Sequence, residues 1–193
     1  MKKVGLYFGT FNPIHIGHLV IANHMVEFST LDEVWMVITP KSPFKQKQTL
    51  LENHHRYQMV SEAIQDYPRI KASKVEFDLP QPNYTVHTLV HLTERYPDIE
   101  FCLIMGEDNL KGFHKWKNYE AILDNHEIYV YPRISEETVP KKFQNHPKIH
   151  RVAAPIMEIS STFIRREHHK GKNVRSLLPD KVWTYMDEMN FYR

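Results

Sequence analysis

At 193 residues and a net charge of +2 with histidine neutral, the chain has room for one substantial domain and not for two full ones of roughly 100–200 residues each. So slight a charge excludes a nucleic-acid polyanion as the partner that composition would name, and neither a signal-peptide core nor a run of about 20 apolar residues that could cross a membrane is present. The single cysteine, Cys102, cannot close an internal disulfide; lying in the apolar run Ile99–Met105, it reads as a small buried hydrophobe of a soluble protein in a reduced, cytoplasmic setting.

Strand-like and helix-like runs alternate along the chain. Val4–Phe8 reads as a strand, followed by a helix from about His15 to Phe28 and a second strand over Glu33–Ile38. A basic loop, Lys41–Gln48, leads into a helix over Leu51–Asp66, where Tyr57, Val60, Ala63 and Ile64 keep helical spacing. Ile70–Phe77 is a strand with a Lys-rich face, and Leu79–Asn83 is a turn-rich break before a helix over Tyr84–Arg95 with Asn83 placed to cap it. Ile99–Met105 is the most apolar strand and closes in a loop, Gly106–Asn109. A helical stretch surrounds Tyr119–Leu123, Glu127–Tyr131 is a strand, and Ser135–Pro147 is a loop or weak helix. After a short strand, Ile149–Val152, come two helices, Ser160–Lys170 with Gly171 as its cap and Pro179–Asn190. This alternation predicts an α/β fold with a doubly wound, mostly parallel sheet covered on both faces and a small helical C-terminal portion from about residue 160 to 193. No linker divides it, so residues 1–193 are expected to form one domain.

Two stretches carry chemistry. Gly9-Thr10-Phe11-Asn12-Pro13-Ile14-His15-Ile16-Gly17-His18 follows the first strand and feeds a helix N-terminus, where backbone N–H groups gather and the helix dipole favours negative charge. His15 and His18, three apart, would share a helix face and donate to one anion. Far downstream, Ile159-Ser160-Ser161-Thr162-Phe163-Ile164-Arg165 offers hydroxyls, helix-start amides and a guanidinium fork, again suited to phosphate. Loops after strand ends converge on one edge of a parallel sheet, at the point where strand order reverses. The thirteen histidines lack companion cysteines at ligand spacing, so no protein-held metal is expected.

The decapeptide is similar to the G-x-F-x-P-x-H-x-G-H element of the nucleotidyltransferase superfamily, and Ile159–Arg165 to its I-S-S-T-x-I-R element. Over nearly its whole length the chain resembles the bacterial nicotinate-nucleotide adenylyltransferases. The Gly9-Thr10-Phe11-Asn12-Pro13 start, Tyr84-Thr85 opening a helix, Gly106-Glu107-Asp108 followed by Trp116, and Arg175-Ser176-Leu177-Leu178-Pro179 carry that likeness. One departure stands out: His87 replaces an acid in the stretch Asn83–Thr88. The resemblance implies a Rossmann-like fold and transfer of AMP from ATP to nicotinate mononucleotide, giving the dinucleotide and pyrophosphate.

On that resemblance the ATP side comprises Gly9, Thr10, Phe11, His15, His18, Gly106, Asp108, Ser160, Ser161, Thr162 and Arg165. His15, His18 and Arg165 act as the catalytic donors to the triphosphate as charge moves toward pyrophosphate. Thr85 and Trp116 are implied to surround the pyridine ring, amides near Trp116 and Lys117 to meet its carboxylate, and Lys45 to meet the acceptor phosphate. Mg²⁺ is expected to bridge triphosphate oxygens, held by phosphates and water. Taken singly, each of these residues has a plainer reading: a histidine at a helix start is usually a cap, Ser-Ser-Thr an N-cap, Arg165 or Lys45 a solvated charge, and Trp116 core. His54, His55, His168 and His169 read as surface. Competing readings are an enzyme preferring nicotinamide mononucleotide, a non-catalytic nucleotide sensor, and an RNA-binding domain resting on the basic patches alone. A homo-oligomer is left open.

Overall fold

In the computed structural model, residues 1–40, 50–134 and 138–193 are described. Six strands form one sheet in the order β3-β2-β1-β4-β5-β6: β1 (Lys2–Gly9), β2 (Glu33–Ile38), β3 (Ile70–Ser73), β4 (Ile99–Gly106), β5 (Ile128–Tyr131) and β6 (Ile149–Arg151). All five neighbouring pairs run parallel. The intervening helices are α1 (Ile16–Phe28), α2 (Asn53–Ala63), α3 (Thr85–Arg95), α4 (Glu107–Gly112), α5 (Tyr119–Asn125), α6 (Lys141–Gln144), α7 (Ser161–His169) and α8 (Asp180–Glu188).

Side chains alternate across the strands, so each strand feeds two cores. Tyr7, Met36, Cys102, Ile104 and Tyr129 pack with Leu19, Ile21 and Met25 of α1, Met59 and Val60 of α2, Ile164 of α7 and Val182 and Met186 of α8. Val4, Leu6, Phe101, Leu103, Met105, Ile128 and Val130 pack on the other face with Leu89 and Leu92 of α3, Ile122 of α5 and Phe143 of α6. Burial on both faces is why these strands are near-continuous apolar runs. The expected doubly wound sheet is present. Among the described residues no helix is long and apolar enough to cross a membrane.

Several expected boundaries move. The segment after Ser73 is not strand: Val75–Phe77 tightens into a 3₁₀ turn, which carries Glu76 inward to 1 % exposure. Asn83 does not cap α3. Tyr84 takes that place, and the Asn83 amide instead donates to the Glu76 carbonyl at 3.1 Å. The expected loop Gly106–Asn109 is largely helix, because Gly106 sits at the N-cap and Glu107 and Asp108 occupy a first turn that favours acids. Gly171 does follow α7 at φ 73°, its amide donating to the His168 carbonyl at 2.8 Å. His168 is not a surface residue: it is buried with its ring edge-on to Trp183 at 5.6 Å.

β1 lies between β2 and β4, so strand order reverses there and the carboxyl ends of β1 and β4 part to leave a crevice. Gly9, the end of β1, and Gly106, the end of β4, mark its two sides.

Candidate active site

A cleft of about 970 Å³ opens over this crevice, lined by Gly9, Thr10, Phe11, His15, His18, Asp108, Ser160, Ser161, Thr162 and Arg165 among others. A second, of about 360 Å³, adjoins it and is lined by Thr85, Trp116 and Lys117. Phe8, Gly9, Thr10, Asp108 and Asn109 line both, so the end of β1 and the start of α4 form the partition. Gly106 lines neither; it makes the partition possible. A side chain there would begin 2.3 Å from Asp108 Oδ1 and 3.1 Å from Arg133 Cγ. Lys45 lies outside the described residues.

The turn after β1 is held by its carbonyls. Gly9 O accepts from the Thr39 amide at 2.9 Å, and Thr10 O from Arg56 Nη1 at 2.7 Å. Asn12 O accepts from Arg165 Nη1 at 2.7 Å, and Pro13 O from Ser161 Oγ at 2.8 Å. The last two bonds join the stretches read separately in the sequence, across more than 140 residues. Phe11 turns at φ 45°, a left-handed conformation uncommon for a bulky residue. Its ring folds back over Gly9, where a side chain would begin 2.8 Å from Phe11 Cζ. The carbonyls of Gly9, Thr10, Asn12 and Pro13 are thus all engaged, which fixes the path of the turn.

The histidines are arranged differently from expectation. His15 is not in the helix; it is the extended N-cap residue at φ −142° and ψ 171°. Instead of standing side by side on one helix face, the two imidazoles stack at 3.7 Å between centroids. His18 Nδ1 accepts the His15 amide at 3.2 Å, which leaves the His18 proton on Nε2. His15 is 4 % exposed, and burial beside Arg133 pushes its imidazole down to about 3. Its buried Nδ1 has no hydrogen-bond partner. His15 is therefore neutral at physiological pH and offers a hydrogen bond, not charge.

Positive charge in the first cleft comes from Arg165 and Arg133, with Asp108 the one carboxylate among its described lining residues. Arg133 lies two residues past the end of β5 and donates to the Met157 carbonyl. Beneath it Tyr7 and Tyr131 hydroxyls meet at 3.4 Å, and burial holds both phenols above their ordinary range. Ser160 caps α7, its Oγ accepting the Phe163 amide at 3.2 Å, which orients the helix bearing Arg165.

The second cleft is different in kind. Trp116 is half-buried and stands edge-on to Phe113 at 5.4 Å. Lys117 Nζ lies 4.5 Å above the Tyr84 ring. Glu76 and Asn83 also line this cleft, and buried Glu76 Oε2 and Asn83 Oδ1 have no partner. Thr88 Oγ1 donates to the other Glu76 oxygen at 2.7 Å. His87 is exposed, edge-on to Tyr84 at 5.6 Å, and lines neither cleft.

Arg56, Asn12, Arg133, Glu76 and Tyr192 were not singled out from the sequence. Arg56 had a signal. It falls on the same helical stripe as buried Met59, Val60 and Ala63, where a charged residue is out of place. It is wholly buried and its fork reaches the carbonyls of Thr10, Thr39 and Leu51 and the Asn53 side chain. The one group of three metal-ligand residues among the described residues is Glu100, Cys102 and Glu127. It lies at the amino ends of β1, β4 and β5, away from the clefts, where Lys3 Nζ already sits 3.4 Å from Glu100 and 2.8 Å from Glu127.

The sequence model for cytidylyltransferase-like proteins matches residues 6–167. A relative from Christiangramia forsetii named "Probable nicotinate-nucleotide adenylyltransferase" is 63 % identical over 192 residues, covering 100 % of this chain and 99 % of that protein. One of the same name from Bacteroides fragilis is 46 % identical, covering 94 % of this chain and 89 % of its own. Among solved structures, the Plasmodium falciparum nicotinic acid mononucleotide adenylyltransferase complexed with NaAD superposes with a TM-score of 0.82 at 20 % identity, covering 100 % of this chain and 98 % of that one. At that identity the superposition speaks for the fold.

Proposed function

The chain belongs to the nicotinate-nucleotide adenylyltransferases of the cytidylyltransferase-like family, and from that premise we propose how its two clefts divide the reaction. The first takes ATP and the second nicotinate mononucleotide, whose phosphate attacks the α-phosphorus of ATP and expels pyrophosphate. The observation that carries this reading is the join between the two phosphate-binding stretches, Arg165 to Asn12 and Ser161 to Pro13, beside a second, aromatic cleft that shares a wall with the first.

The attacking phosphate has a second pKa of about 6 and is largely a dianion at neutral pH, so no general base is needed. What the reaction needs is alignment and relief of repulsion between two polyanions. Thr10 and Asp108, on the partition, sit where the α-phosphate and a ribose would meet the acceptor. His15 and His18 donate N–H groups toward the leaving pyrophosphate, while Ser160, Ser161, Thr162 and Arg165 hold its outer phosphates. Arg133 adds a second cation. In the adjoining cleft Trp116 offers an aromatic face to the pyridine ring and Thr85 a hydroxyl to its edge, with Lys117 at the rim.

That Asp108 is the one carboxylate among the described lining residues of the first cleft fits a divalent ion held mainly by phosphate oxygens and water, as Mg²⁺ usually is. Bound there, Mg²⁺ would neutralise charge on the triphosphate. Mixing the protein with ATP, Mg²⁺ and nicotinate mononucleotide should release pyrophosphate, with nicotinamide mononucleotide a poorer acceptor. No release with either acceptor overturns the reading; faster release with the amide overturns the assignment of acceptor.

A further inference from the structure

The turn after β1 is tied down from the far end of the chain as well as from α7. Tyr192 Oη donates to Asn12 Oδ1 at 2.5 Å, an oxygen that also accepts the Leu51 amide at 3.3 Å. Asn12 is 3 % exposed, and its main-chain carbonyl is the one that takes Arg165 Nη1. One residue therefore receives the C-terminal phenol on its side chain and the late guanidinium on its backbone. Beyond α8 the chain turns back, the Phe191 amide donating to Met186 O at 3.0 Å. Phe191 packs edge-on against His55 of α2 at 4.8 Å. Tyr192 then takes φ 63°, a conformation a bulky residue keeps only where its surroundings over-determine it. It lines neither cleft.

We propose that Tyr192 is a positioning residue for adenylyl transfer: its hydroxyl fixes the Asn12 side chain, and through Asn12 it sets the phosphate turn and the Arg165 guanidinium relative to one another. The proposal rests on the adenylyl-transfer reading of the clefts. Chemistry supports the direction of the bond. An amide oxygen can only accept, and burial holds the Tyr192 phenol well above its ordinary range even with Arg56 and Arg165 nearby, so the hydroxyl remains a donor at neutral pH. A small displacement of a guanidinium that must meet charge in the transition state lowers kcat more than it lowers ground-state binding.

Tyr192→Phe keeps the ring and deletes the donor. Pyrophosphate release is expected to fall about tenfold in kcat, with KM for the mononucleotide unchanged and the melting temperature lowered by no more than about 5 °C, the worth of one hydrogen bond. Asn12→Ala removes the oxygen that the hydroxyl holds while leaving the carbonyl in place. In that background Tyr192→Phe should cost nothing more. An unchanged kcat in Tyr192→Phe, or a full additional tenfold loss in the double variant, overturns the proposal. A loss confined to melting temperature does so too, since it would mark Tyr192 as structural only. Wild-type protein that releases no pyrophosphate would instead defeat the reading of the clefts.

Discussion

At the scale of single residues the site works with hydrogen-bond donors whose protonation is settled by their neighbours. His18 turns its Nδ1 to the His15 amide, and His15 is kept neutral by burial and Arg133. Donors of this kind matter most where negative charge is growing, which in adenylyl transfer is the bridging oxygen and the departing pyrophosphate. Replacing His18 with Ala is therefore expected to lower kcat by about 10²–10³ while ATP affinity, measured by equilibrium dialysis without acceptor, changes less than about threefold. An equal loss in both would show that His18 merely holds substrate. That His18 lines the cleft was legible from its place in the decapeptide after the first strand. Its partner's conformation was not: helical periodicity places His15 on the helix, whereas the residue stops one short and stacks its ring instead of lining it up. Arg56, Asn12 and Tyr192 escaped for a different reason. Their bonds span 46, 153 and 180 positions, and nothing local distinguishes a buried guanidinium from a solvated one except its place on an apolar stripe.

At the scale of elements, the strands were readable because both faces of the sheet are buried, which makes each central strand a short apolar run with a defined end. Their carboxyl ends were the harder part. Gly106 looks like the opening of a loop, yet Glu107 and Asp108 are what a helix start favours, and α4 begins there without an intervening turn. That junction fixes the partition between the clefts. In Gly106→Ala the added methyl would meet Asp108 Oδ1 at 2.3 Å and the Arg133 stem at 3.1 Å, closer than a packed carbon tolerates. The Asp108 carboxylate can swing aside, but it then leaves the wall that the two clefts share. Steady-state kinetics should show KM rising for ATP and for the mononucleotide together, by about fivefold or more. A rise for one substrate alone would mean that Asp108 serves only that cleft. The 3₁₀ turn after β3 went unread for a similar reason. Lys74 and Glu76, two apart, look like the exposed face of a longer strand, while the turn buries Glu76 beneath Thr88.

At the scale of the whole molecule, the active site and the stability of the fold are linked through His15. The unfolded chain offers an ordinary imidazole that protonates near pH 6.5, whereas the folded protein resists protonation until about pH 3. Below 6.5 the unfolded state binds the extra proton, so stability falls as pH falls, progressively from about 6.5 toward 3. The loss from this one group reaches about 2 kcal/mol by pH 5. His126, which burial also lowers, adds to the slope, while Glu76, which burial raises, opposes it at lower pH. Comparison with His15→Gln isolates the contribution, because glutamine keeps an amide donor and has no proton to gain. Urea unfolding at pH 7 and pH 5 should show the wild type losing about 2 kcal/mol more than the variant. Parallel losses would mean that the imidazole is solvated when ATP is absent, and that its neutrality is imposed by the substrate instead of by the fold. On the proposed reading, a donor held neutral by the fold would stand ready before the triphosphate arrives, and acid sensitivity is the cost of that readiness.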